Sequence, residues 1–271
     1  MAKKGFDAKH FPVMQHMTVR EIREYLEVRQ SVLLPVGVIE QHGYHLPVCT
    51  DALVAEGVAL RVGRKADMLV GPTLNMSYSG GELPGTVNVH PGVMGMLVSE
   101  AIRSLAAQGF RNVFIVLGHG GSENRLALDL YLKTLLRHDR SLGHVLVAVT
   151  GAGRFCKPYP KIPGKDPHAG WYETSMVMAL APELVQMENL TKDVPEMVAE
   201  MIEDPDAYQA VSKLHDDESV VPHIRQRADM QVGVMGRPEL ATPELGKELL
   251  EKAVNGMAEY VEKLERERKP A

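Results

Sequence analysis

Four imidazole or carboxylate side chains fall between residues 40 and 51: Glu40, His42, His45 and Asp51, in the stretch PVGVIEQHGYHLPVCTD (35–51). His119, Glu123, His168 and Glu173 offer the same donor types further along. Imidazole and carboxylate donors without thiolates suit zinc, manganese or iron, and one aspartate can bridge two ions with its two oxygens. Two cations a few ångströms apart activate a water and polarise a carbonyl oxygen together. A lone histidine of this kind is more often a hydrogen-bonded loop residue. The set as a whole, carried by separate segments, is what points to metal.

Those segments are defined by the elements around them. SVLLPVGVI (31–39), MLVGPTL (68–74), NVFIVLG (112–118) and HVLVAVTG (144–151) read as buried strands, apolar on both faces. Between them, 52–67, 92–110 and 124–139 carry apolar residues at helical spacing, with Gly109 as a helix stop. Thr18 and Glu21 form a capping-box pattern that opens a first helix over 18–26, and Thr242 starts a long amphipathic helix over 242–269. Strands alternating with helices predict an α/β fold, a mostly parallel sheet with helices on both faces. In such sheets ligands bind beyond the carboxyl ends of the strands. Glu40 and His42 follow one strand and His119 follows another, so two distant segments bring polar side chains to one edge. Residues 168–185 read as a loop entering a helix. Residues 191–230, interrupted by Pro195, Pro205 and Pro222, read as an insertion or cover on a single domain.

Composition narrows the function classes. The chain has 271 residues, 45% hydrophobic and 24% charged, enough for one large core. A net charge of −5 gives no reason to expect nucleic acid or an anionic membrane as partner. No apolar run reaches membrane-spanning length, and residues 1–15 lack the apolar core of a signal peptide. The two cysteines, Cys49 and Cys156, form no Cys-x-x-Cys pattern, which fits a reducing compartment, so the expected location is cytoplasmic. GHGGSEN (118–124) has glycines that could cradle phosphate, but neither nucleotide-loop pattern is complete, and no Gly-x-Ser-x-Gly elbow occurs.

Five blocks, LPVGVIEQHGYHLPVCTD, GELPGTVNVHPGV, VLGHGGSEN, HAGWYETSMVMALAPELV and GVMGRPELAT, together resemble the creatininase (creatinine amidohydrolase) family, in order and over about residues 14–262. The resemblance implies a three-layer α/β sandwich, hydrolysis of small cyclic amides or formamides, two divalent metals per subunit (Zn, Mn or Fe) and a homo-oligomer, often a hexamer. By position it implies Glu40, His42, Asp51 and His119 as ligands. Asp51 would be the bridge, with Glu40 and His119 on one ion and His42 on the other. The remaining ligand is Glu173 or Glu123, because Gly121 stands where creatininase has a glutamate; Glu173 is favoured. His168 matches a histidine beside the substrate, suited to passing a proton to the leaving group. Asp166 could assist it, although Pro167 replaces the glutamate that precedes this histidine in creatininase. Trp171 could stack on a flat ring or simply pack, and Ser79 lies near a substrate-contacting serine.

Two departures bear on substrate. Tyr44 stands where proline is usual, and SGGELPGT lacks the histidine often found before Pro-Gly-Thr. The expectation is therefore a metal hydrolase acting on a small polar cyclic substrate, first of all at an amide or formamide C–N bond. The alternative is C–C cleavage of a cyclic diketone from inositol, as in 3-dehydro-scyllo-inosose hydrolases, since both begin with addition to a carbonyl. A non-catalytic binding protein or a nucleotide-dependent enzyme would need lost metal residues or a phosphate site.

Overall fold

The computed structural model describes residues 13–157, 159, 162 and 165–269. Most of the N-terminal stretch read above for a signal peptide lies outside them. After helix α1 (Val19–Val28), opened by the Thr18–Glu21 capping box, the chain alternates strand and helix: β1 (Ser31–Val36), α2 (Thr50–Ala66), β2 (Leu69–Val70), α3 (Pro91–Ala107), β3 (Asn112–Leu117), α4 (Ser122–His138) and β4 (Leu146–Thr150). The four strands form one parallel sheet in the order β2-β1-β3-β4.

Alternate strand residues feed two cores. Leu33, Phe114 and Val116 face α2, together with α5 (Trp171–Leu180) and α7 (Pro243–Arg266). Val32, Leu34, Val36, Val113 and Ile115 face α1, α3 and α4. The arrangement is a three-layer α/β sandwich, and burial on both faces explains why the strands read as unbroken apolar runs. Gly109, at φ 109°, ends α3 from just past its Gln108 cap, where only glycine takes that conformation cheaply.

Pro35 lies inside β1, a central strand, and would normally break the ladder. Leu33 and Pro35 turn their carbonyls towards the β2 side, accepting from Gly71 and Leu74 at 2.8 and 2.9 Å. Register pairs Leu33 with Val70, the last residue of β2. The missing proline N–H therefore points past the end of β2, where no ladder bond is lost. For the same reason the strand expected over 68–74 is two residues long, followed by a lone bridge at Leu74.

Residues 191–230, expected as a cover, form helix α6 (Pro195–Glu203) and an exposed antiparallel ribbon, β5 (Gln209–Ser212) with β6 (His223–Gln226). Gln226 accepts a hydrogen bond from the Glu82 backbone N–H at 2.6 Å, tying the ribbon to the 77–90 loop. Asp193 accepts backbone N–H groups of Gln231 and Gly233, both at 2.7 Å, closing the segment on itself. Among the described residues no helix is long and apolar enough to cross a membrane.

Candidate metal centre

The donors converge at the carboxyl edge of the sheet. Glu40 and His42 sit on the loop after β1, and Asp51 is the second residue of α2. His119 follows β3 by two residues, and Glu173 lies in the first turn of α5. Asp51 and Glu173 thus sit at the positive ends of their helices, where a carboxylate is stabilised. Close approach of α2 to β3 depends on Gly118: a Cβ there would lie 2.1 Å from the Asp51 carbonyl oxygen. The Gly-His pair is a packing requirement as well as a turn.

The two carboxylate oxygens of Asp51 face different partners. Oδ2 is 3.3 Å from His119 Nδ1, which is 3.0 Å from Glu40 Oε2. Oδ1 is 3.8 Å from His42 Nε2, which is 3.6 Å from Glu173 Oε2. The donor atoms of Glu40, Asp51 and His119 lie within 4.8 Å of one another, as do those of His42, Asp51 and Glu173. His42 Nδ1 lies 3.0 Å from the Glu40 carbonyl oxygen. Donation there fixes the tautomer and leaves the Nε2 lone pair aimed at the acids, the orientation a metal ligand needs.

Glu40 Oε2, His42 Nε2, Asp51 Oδ2 and His119 Nε2 are buried without a hydrogen-bond partner. Orphaned atoms of this kind are costly unless something absent from the protein atoms satisfies them. Three carboxylates share the site. Burial, with Asp51 and Glu40 also nearby, pushes Glu173 up to about 8, against the pull of His168 and the Ala169 N–H. Burial would raise Glu40 too, but His168, His119 and His42 hold it below the usual carboxylate range. Burial disfavours charge on His119, yet Glu40 and Asp51 raise it well above the ordinary imidazole value. The cluster carries the electrostatic signature of a cation site, and its donor set fits divalent zinc or manganese.

His168 lies beside this cluster, its ring centroid 4.3 Å from that of His42. Its Nε2 is 2.9 Å from the Gln41 carbonyl oxygen and 3.1 Å from Gln41 Nε2. The first contact is satisfied when Nε2 carries a proton, the second when it does not. Ala169, at φ 51°, turns the chain between His168 and α5. A cavity of about 460 Å³ opens over the site, lined by Glu40, His119, His168 and Glu173 below and by Ser79 and Tyr208 higher up.

Glu173, not Glu123, completes the second donor group. Glu123 lines the cavity, but its carboxylate accepts from the Ser122 hydroxyl at 2.9 Å. Asp166, expected to assist His168, instead accepts the backbone N–H groups of Trp171 and Tyr172 at the start of α5, and that of Arg237, at 3.1, 2.9 and 3.1 Å. Trp171 is packed into the core edge-on to Tyr159, 5.8 Å between centroids, so it offers no face to a ligand. Tyr44 is 56% exposed and lines no part of the cavity. His45 is buried with Nε2 3.1 Å from Thr174 Oγ1, and burial, helped by His42, lowers it to about 4. Ser79 is on the cavity wall, its backbone N–H held by Asn88 at 2.9 Å. Gln41 was missed, although its place between two named donors was a signal that could have found it. Tyr208 and Met230 were not legible, because nothing in the irregular 191–230 pattern says which way it folds back; Met235 falls in the GVMGRPELAT block but was not singled out there.

A family model described as creatininase, creatinine amidohydrolase, matches residues 15–261. A mycofactocin precursor peptide peptidase from Mycolicibacterium smegmatis is 31% identical over 88% of this chain and 86% of its own. A creatinine amidohydrolase from Pseudomonas putida is 31% identical over 60% of this chain and 69% of its own, and a 3-dehydro-scyllo-inosose hydrolase from Thermotoga maritima 25% over 93% and 82%. A crystal structure of creatininase superposes with a TM-score of 0.76 at 26% identity, covering 96% of this chain and 98% of that one. Related creatininase structures are described as manganese and zinc–zinc forms.

Proposed function

The chain belongs to the creatininase family, and we propose that it hydrolyses an amide C–N bond with a pair of divalent cations held by Glu40, His42, Asp51, His119 and Glu173. One observation carries the reading: the two oxygens of Asp51 diverge, each into its own group of three donors. Glu40 and His119 would hold one ion with Asp51, and His42 and Glu173 the other. Such ions supply Lewis acidity at a carbonyl oxygen and lower the pKa of water.

The chain's own residues do the rest. His168 can give or take a proton at Nε2 with Gln41 satisfying either state, so it suits delivery of a proton to the leaving nitrogen. The net reaction adds the oxygen of water to the carbonyl carbon, breaks C–N and places a proton on nitrogen. Ser79 and Tyr208 offer hydroxyls to a polar substrate. The cavity, about 460 Å³, is in the range that takes ligands larger than one small ring. That volume suits the extended substrates of a peptidase as well as the cyclic amides expected from sequence. C–C cleavage beside a carbonyl is the second reading, supported by the inosose-hydrolase relative, because it too begins with addition of water to a carbonyl. Val93, Met96, Leu97, Leu126 and Leu130 leave an exposed apolar face on α3 and α4, which supports a homo-oligomer; light scattering tests it.

The deciding experiment is proton NMR of zinc- and manganese-loaded protein with creatinine, an N-acyl amino acid and 3-dehydro-scyllo-inosose in separate tubes. Release of amine from an amide is expected. Cleavage of the inosose alone would overturn the C–N reading in favour of the second.

A further inference from the structure

We infer that a second cavity, behind the donor cluster, is a subsite for a carboxylate carried by the substrate. It measures about 280 Å³ and lies past the carboxyl ends of β3 and β4. Asp51, His119 and Glu173 form one wall, and Arg125 and Arg154 contribute to the others.

Two arginines reach this cavity. With 35 acidic against 30 basic residues, some arginines pair with an acid. Arg29, Arg103 and Arg227 each do so. Neither Arg125 nor Arg154 pairs with a carboxylate among the described residues. Arg154 is held by aromatic rings instead, its guanidinium carbon 4.4 Å from the Tyr260 centroid and 5.5 Å from that of Phe155. Arg125 lies in the first turn of α4, where the helix dipole disfavours a cation. Two guanidiniums without a carboxylate partner among the described residues, both lining one cavity, make a site for an anion, and their planar forks match a carboxylate.

The cavity also communicates with the first. His119, Gly120, Pro167 and Glu173 line both. A Cβ built on Gly120 would meet no atom within 4 Å, so there is free space beside this shared residue. A ligand anchored by its carboxylate behind the cluster would present a nearby amide to the donors and extend its acyl part into the larger cavity. N-acyl amino acids and peptides with a free terminal carboxylate have that shape. This substrate assignment rests on the amide-hydrolase reading; the anion subsite does not.

The test is isothermal titration of N-acetylglycine, with neutral N-acetylglycinamide as control, on metal-loaded protein and again after chelation. Arg125→Gln and Arg154→Gln should each weaken N-acetylglycine binding about tenfold or more and leave the neutral amide unaffected. Arg125→Lys should recover part of the loss. Both arginines are exposed, and unchanged melting temperatures would separate lost recognition from lost structure. Undiminished N-acetylglycine binding in both glutamine variants would overturn the subsite, and so would binding that vanishes with the metal and ignores the arginines. Arginine-dependent binding that survives chelation, in a protein that cleaves no N-acyl amino acid, would uphold the subsite and reject the amide reading.

Discussion

The two ends of β1 and β3 carry buried polar clusters of opposite character. At the amino end, Arg29 Nε donates to Glu265 at 2.9 Å, and its other nitrogens reach Glu265 and the carbonyls of Ala66 and Asp67. Ser31 also bonds Glu265, Asn112 donates to Ser31 at 2.8 Å, and Tyr25 joins the Ser31 carbonyl to the Leu69 N–H. Only Asn112 Oδ1 is left over. At the carboxyl end, three acids and three imidazoles crowd together with four of their atoms orphaned. The first cluster is complete as protein and pins α7 and α2 to the sheet. The second is left incomplete by the protein's own atoms. Burial alone does not mark a functional site; here the unsatisfied atoms concentrate where the acids and imidazoles meet.

The comparison is broken most directly at Asp51. Asp51→Ala should strip both ions, and His42→Ala mainly one, read as metal per chain by elemental analysis. Two ions retained in the Asp51 variant would refute the bridge. At the other end, Glu265→Ala should cost about 3 kcal/mol in denaturant unfolding, because it leaves Arg29 half-buried and unpaired, while metal content stays unchanged.

A subtler difference lies in pH. Glu173, raised to about 8 in the folded chain, binds its proton more tightly there than when unfolded. Its contribution to the stability of the metal-free protein is full below about pH 4.5 and is lost as pH rises towards 8. Thermal melts in chelator should show that fall, and Glu173→Gln should flatten it; an equally steep fall in the variant would rule out Glu173 as its source. The smallest effect belongs to Glu123→Gln, which should leave metal stoichiometry unaltered, since its carboxylate bonds Ser122 outside the donor groups. Lost metal there would return Glu123 to the ligand set.

Much of this was written in the chain itself. Apolar runs buried on both faces announced a parallel sheet, and the caps at Thr18, Gly109 and Thr242 marked helix ends, because these are local interactions within a few residues. Glu40, His42, Asp51 and His119 were legible as a set because a parallel sheet sends the ends of its strands to one edge. Tertiary structure alone puts Glu173 rather than Glu123 beside His42, since both sit in the first turn of a helix and only the packing of α5 against α2 brings one of them there. It likewise turned Asp166 to the α5 amides, put Trp171 into the core and folded Tyr208 over the cavity. Each of these outcomes depends on where a distant segment packs, and no local pattern encodes that.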